Sequence, residues 1–207
     1  MNTTTKILLA LTAMLAAGCS ESTIAPKSVT NKDVTLAGGG ATAALTSSDT
    51  IRFTFVIDPS RSITYNLGAG NSITFPAGSL CDLSSSYGLD QWDQPCAVAT
   101  SPVTVYTKAW LDAGGFAHVD FDKHVRFVPT ANPAGWVMLS LYDYGASTTP
   151  WTKINYCPTT DASSCFDESK LDPTVATIKD PITGKLIRRV KHFSGYSLTS
   201  GRDSESF

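Results

Sequence analysis

Apolar side chains recur at every second position through most of this chain, in short runs cut by glycine and proline. Ile51, Phe53, Phe55 and Ile57 alternate with Thr50, Arg52 and Thr54. In an extended chain that spacing puts the apolar set on one face and the polar set on the other, which is the pattern of a half-buried strand. Val103, Val105, Ala109 and Leu111 repeat it against Thr104, Tyr106 and Lys108. Asp112-Ala113-Gly114-Gly115 then turns the chain into Val119 and Phe121, with His118 and Asp120 on the opposite face; this predicts a hairpin. Val137, Leu139 and Leu141 define another strand, between Asn132-Pro133 and Asp143-Tyr144-Gly145. Weaker strand patterns lie around residues 62–65, 72–75, 125–128, 154–157 and 176–178. The turn from Asp180 to Gly184 leads into a final strand over residues 186–198. Nowhere does a ten-residue stretch carry helical periodicity. Many short strands with Gly/Pro punctuation and no helix predict an all-β domain, an antiparallel β-sandwich, over residues 49–200. A domain of about 150 residues buries roughly 68–70% of its unfolded surface, so it folds without a partner.

The N-terminus is different. Met1 to Lys6 is short and weakly basic, Ile7 to Leu15 is apolar, and Ala16-Ala17-Gly18 are small residues directly ahead of Cys19. The apolar run is too short for a bilayer core, which needs about 20 residues. The pattern is that of a signal segment, and with the cysteine placed there it resembles a bacterial lipoprotein signal. That resemblance implies removal of residues 1–18, lipidation of Cys19, and attachment to a membrane through that lipid. One acyl chain binds only marginally, at about 0.8 kcal/mol per buried methylene, and lipoproteins of this class carry more than one. Ser20, rather than Asp, after the cysteine implies the outer membrane where the organism has one. Residues 20–48 are rich in Ser, Thr, Ala and Gly, with Gly38-Gly39-Gly40, and read as a flexible tether with a root-mean-square reach of roughly 30 Å. A short edge strand around residues 34–36 is the exception expected within it. Residues 201–207 are read as a tail.

With Cys19 assigned to lipid, Cys81, Cys96, Cys157 and Cys165 remain. An even number in an oxidising compartment predicts two disulfides. Three pairings are possible, and the two sequence-local ones, Cys81–Cys96 and Cys157–Cys165, are favoured because each staples a polar, irregular loop. A closed loop of about 15 residues is worth roughly 3 kcal/mol in the chain-entropy model. No cysteine pair has the short gap of a zinc knuckle. A net charge of −2 offers no basic footprint for nucleic acid.

Two segments resemble a known family. Ser72-Ile73-Thr74-Phe75-Pro76-Ala77-Gly78-Ser79-Leu80 resembles the strand-and-turn opening of the ZU-five domain, and His192-Phe193-Ser194-Gly195-Tyr196 resembles the strand that closes it. ZU-five domains are β-sandwiches of netrin receptors, ankyrins, tight-junction scaffolds and death-domain adaptors. The resemblance spans most of residues 49–200 and implies the sandwich fold and a binding or spacer role. The lipoprotein leader, the two expected disulfides and the lack of any death domain or ankyrin repeat depart from the family, so its signalling roles are not carried over.

In some relatives a His-Phe-Ser sequence cleaves itself before the serine. An extended strand would place His192 and Ser194 on one side, where His192 takes the hydroxyl proton and the Ser194 oxygen attacks the Phe193 carbonyl. The plainer reading has His192 and Ser194 satisfying hydrogen bonds while Phe193 packs. The expectation is therefore a non-enzymatic binding or structural module without cofactor or metal, with self-cleavage between Phe193 and Ser194 as one alternative. Glycan binding in the cell envelope is the other, with Trp92, Trp110, Trp136 and Trp151 as a stacking platform. Its partners would be the membrane, through Cys19, and an envelope protein or glycan.

Three further clusters stand out by residue type. Asp161, Asp167, Glu168 and Asp172 offer oxygens of the kind calcium takes, in a spacing that fits no calcium loop. His118, Asp120, Asp122 and His124 gather at one strand end, read as a hydrated surface. Lys185, Arg188, Arg189 and Lys191 form a basic run read as a solvated edge that deters strand pairing. No nucleophile elbow or phosphate-cradling glycine loop is present.

Overall fold

The computed structural model describes residues 23–24, 34–35, 50–68, 70–111, 116–142, 152–159, 162–180 and 182–200. Among them the chain forms two sheets and no α-helix. Sheet A contains β4 (Ile63–Gly68), β5 (Asn71–Phe75), β8 (Val137–Tyr142), β11 (Lys185–Val190) and β10 (Ile178–Lys179), antiparallel in that order. Sheet B contains β3 (Ile51–Ile57), β6 (Val103–Leu111), β7 (Ala117–Phe121), β12 (Gly195–Ser200) and β9 (Thr152–Cys157), likewise antiparallel. Two dipeptides add one short parallel strand to each sheet: β1 (Thr23–Ile24) beside β4, and β2 (Val34–Thr35) beside β3. The edge strand expected around residues 34–36 is therefore present, and two points of the stretch read as a tether are paired with the sandwich.

The alternation read from the sequence is the core. Ile51, Phe53, Phe55 and Ile57 of β3, Val105 and Ala109 of β6, and Val119 and Phe121 of β7 are buried against Ile73, Phe75, Leu139 and Leu141 of sheet A. Pro76 to Ser79 makes a tight turn, with the Ser79 N–H donating to the Pro76 carbonyl at 3.2 Å. Gly78 takes φ 69° there, a value at which a side chain is strained.

Two expectations are corrected. Residues 186–198 are not one strand: β11 ends at Val190 in sheet A and β12 begins at Gly195 in sheet B. Residues 191–194 are the corner where the chain crosses between the sheets. Alternation continues on both sides of the corner, which is why the sequence reads as unbroken. Residues 125–128 are not a strand either; they make isolated bridges, Phe127 to Leu80 and Arg126 to His192, which fasten the corner to the sandwich. Cys19, the Asp112–Gly115 turn, Trp151, Asp161 and residues 201–207 lie outside the described residues.

Candidate functional site

The corner places Phe193 at the centre of the aromatic core. Its ring stacks on Phe121 at 4.3 Å and meets Phe127, Phe75 and Phe55 edge-on at 5.1, 5.8 and 6.4 Å. Its N–H donates to the Val125 carbonyl at 2.7 Å. With Phe193 turned inward, His192 is driven under the loops that cap this end of the sandwich and is 1% exposed.

Two loops meet over it. The first is closed by the Cys81–Cys96 disulfide, with Cα atoms 5.7 Å apart. Arg126 organises this loop from below, its guanidinium donating to the carbonyls of Gln91, Gln94 and Pro95. The loop lays Trp92 flat on the His192 ring at 3.9 Å and brings the Tyr87 hydroxyl to the Phe193 carbonyl oxygen at 2.5 Å. The second loop holds two short 3₁₀ turns, Glu168–Lys170 and Pro173–Val175, each capped by an aspartate side chain. Asp167 accepts from the Ser169 N–H at 3.0 Å and Asp172 from the Thr174 N–H at 2.9 Å. Lys191 ties the two loops together, its Nζ lying 2.6 Å from Asp93 and 2.5 Å from Asp172.

Glu168 points inward between these loops. One carboxylate oxygen pairs with the Arg188 guanidinium and the other lies 3.2 Å from His192 Nε2. Arg188 shares the inward face of β11 with Leu186 and Val190, is 1% exposed, and donates to the Ile154 carbonyl of sheet B at 2.6 Å. This charged side chain therefore crosses the interior from one sheet to the other. A buried charge needs a partner and hydrogen bonds, and Glu168 with the Ile154 carbonyl supplies both. The basic run is consequently not a solvated edge: Arg188, Arg189 and Lys191 are all buried. Arg189 lies over the Trp136 ring at 4.6 Å. β11 pairs along its whole length with β8 and through Leu186 and Ile187 with β10.

His192 and Ser194 do not meet in the way an extended strand would bring them. Ser194 Oγ donates to the Cys157 carbonyl at 3.2 Å and shares a hydrogen bond with the Tyr156 hydroxyl. His192 Nε2 faces the Glu168 carboxylate, and Nδ1 sits 3.4 Å from both the Tyr87 hydroxyl and the Phe193 carbonyl oxygen. Burial pushes the Tyr87, Tyr156 and Tyr196 hydroxyls up, with the charge on Glu168 adding to the effect, so all three stay protonated donors. Tyr196 gives its proton to the His192 carbonyl at 2.7 Å. Sequence reasoning missed Glu168, Tyr87 and Trp92 as partners of His192. Its one signal for them was the disulfide loop that carries the two aromatics.

The second disulfide, Cys157–Cys165, closes the hairpin that follows β9, where Phe166 and Tyr156 exchange backbone hydrogen bonds at 2.8 and 3.0 Å. Gly195 lies against it. A Cβ there would sit 2.9 Å from the Cys157 carbonyl oxygen, closer than side chains pack, so the glycine allows the hairpin to close over β12.

The other clusters do not converge. Asp167 and Asp172 are used as caps and ion pairs, and Glu168 faces the interior. His118 is buried, stacked on Trp110 at 5.0 Å and 3.2 Å from Ser197 Oγ. Asp122 accepts from the Tyr106 N–H at 2.8 Å, and His124 packs edge-on to Tyr87. Among the described residues no three His, Cys, Asp or Glu side chains are placed to hold a metal. Trp92, Trp110 and Trp136 each serve a different intramolecular contact, so these three indoles form no common platform.

Asp167 and Asp172 predict how the domain responds to acid. Burial pushes both carboxyls up, but their hydrogen bonds, with Lys153 and Ser169 for Asp167 and with Lys191 and Thr174 for Asp172, outweigh it and hold both below the usual carboxylate value. A folded value lowered in this way contributes stability above the unfolded pKa, and that stability is lost as pH falls through the folded one. Urea midpoints should therefore be steady at neutral pH and fall below about pH 4. The fall should be shallower in Asp172→Asn; an identical acid profile in that variant would remove Asp172 from the account.

Comparison of the chain with protein-family models, with curated proteins and with solved structures gave no match.

Proposed function

We propose that this chain is a lipid-anchored, extracytoplasmic β-sandwich that acts by binding or as a structural module, without turnover. The observation that carries the reading is the division of labour at the corner. His192 is paired with Glu168 beneath Trp92, and Ser194 is spent on the Cys157 carbonyl. Side chains placed to fasten a corner are closed to substrate. Two disulfides suit an oxidising compartment outside the cytosol. The ZU-five likeness draws support from the contact between its two motifs, since Phe75 of the first packs on Phe193 of the second.

One contact favours self-cleavage as a second reading. The Tyr87 hydroxyl already donates to the Phe193 carbonyl oxygen, where an oxyanion would develop if Ser194 attacked. The Ser194 hydroxyl would first have to leave Cys157 and reach a base. Intact-mass measurement separates the two readings. A single species of full mature mass is expected, whereas a fragment beginning at Ser194, absent in Ser194→Ala, would establish cleavage. Metabolic labelling with palmitate should mark the protein and fail in Cys19→Ser. An unlabelled wild-type chain would end the anchored reading.

A further inference from the structure

The outer face of sheet B carries a groove of 140 Å³ between β3, β6 and β7. Arg52 lies directly opposite Lys108, and Lys108 directly opposite Asp120, so a single row across three strands reads Arg, Lys, Asp. In the next row Thr54 lies opposite Tyr106, a residue 57% exposed. Asp122 closes the end, held by the Tyr106 backbone N–H.

Like charges facing each other across a strand pair are destabilising, and sheets ordinarily avoid them. Here neither Arg52 nor Lys108 is within ion-pair contact of a carboxylate among the described residues; Lys108 acts on Asp120 only through space. The row Arg52, Lys108, Asp120 holds two cations against one carboxylate, an excess of one positive charge that an anion relieves. A guanidinium and an ammonium on directly facing positions suit a carboxylate, which Arg binds in bidentate fashion. Beside them stands a bare aromatic ring with an apolar face. Flanking it are two carboxylates that act only as acceptors when ionised, as sugar hydroxyls require. Burial pushes the Asp120 carboxyl up, and Asp122 adds to that against the pull of Lys108. Asp120 is thus partly withdrawn from water, as a recognition group would be.

We propose that this groove binds an acidic sugar, one uronate ring of an anionic glycan. Its carboxylate sits on Arg52 and Lys108, its ring on Tyr106 and its hydroxyls on Asp120 and Asp122. The proposal rests on the binding-module reading above and gives it a ligand class. The sugar surface is thereby moved from the tryptophans to Tyr106.

The test uses the full mature chain in detergent micelles, titrated calorimetrically with tri-galacturonate, its methyl-esterified neutral counterpart and inorganic phosphate. Tri-galacturonate should bind, and the ester at least about tenfold more weakly, the weight of one charge-assisted hydrogen bond. The Arg52→Ala/Lys108→Ala double variant should show a loss of similar size, and Tyr106→Ala should also weaken binding. All three side chains point outward, so unchanged circular dichroism of the variants is expected and checks folding. No heat at millimolar sugar, equal binding of the ester, or binding of phosphate and sugar alike with no effect of Tyr106→Ala would each overturn the proposal. The last of these would leave a bare anion site. Palmitate labelling reports the anchor independently, so failure here and failure of the anchored reading are distinguishable.

Discussion

Glu168→Ala will lower the stability of the domain by about 3–5 kcal/mol, the range measured when one partner of a buried ion pair is removed. The cost arises in what remains. Without the carboxylate, Arg188 keeps a buried guanidinium with no counter-charge, answered by the Ile154 carbonyl and the face of the Tyr196 ring, and His192 Nε2 loses its carboxylate partner. At 2–4 °C per kcal/mol for a domain of this size, the thermal midpoint should fall by roughly 10 °C. Glu168→Gln, which keeps an acceptor and loses the charge, should fall less. Replacing the pair together, as Glu168→Leu with Arg188→Met, should recover much of the loss, because no unpaired charge is then left inside. Urea and thermal denaturation of the three variants check this. A Glu168→Ala protein as stable as the wild type would mean that Arg188 reaches water, and the buried network would have to be abandoned.

Phe193→Ala will be comparably severe, at about 3–5 kcal/mol, the usual cost of removing a buried aromatic ring. Phe193 touches Phe121, Phe127, Phe75 and Phe55, which come from both sheets. The space it leaves cannot close unless the corner moves, and the corner is pinned by Val125, Arg126 and Tyr87. Phe193→Leu should retain about half of the stability lost by alanine, since leucine refills part of the volume. Leu171→Ala is the contrasting control: that side chain is 75% exposed, and its truncation should stay within about 0.5 kcal/mol of the wild type. A shift in urea midpoint for Phe193→Ala no larger than that of the control would contradict the packing described.

The two predictions draw on features of unequal legibility. Phe193 reads as packing by its residue type, although it falls out of phase with the even-numbered apolar set of Leu186, Val190, Tyr196 and Leu198. Its place at a crossing between sheets could not be read, because the even-numbered apolar positions stay in phase from Leu186 to Leu198 across the bends at Lys191 and Ser194. By residue type Arg188 belongs in water, because charged side chains ordinarily face it. What reverses the rule is Glu168, which lies twenty residues earlier and is aimed inward by the aspartate cap on the turn that holds it. Asp167 and Asp172 looked like calcium ligands by type, yet each is occupied by the nearest backbone N–H two residues on. That local pattern is present in Asp-x-Ser and Asp-x-Thr and offers a signal that cap chemistry could have read.

Local chemistry decided what the sequence settles unaided: strands from alternation, a sandwich from their number and punctuation, and a preference for pairing neighbouring cysteines, which the Cys81–Cys96 and Cys157–Cys165 bonds of the structure bear out. Each depends on residues close together along the chain. Only the tertiary structure decided that Tyr87 and Trp92 would cover His192 from about a hundred residues away, and that Arg188 would cross the interior to Glu168. Those contacts exist because two sheets close on each other and bring loops from distant parts of the chain to one end. No periodicity in the sequence records that closure.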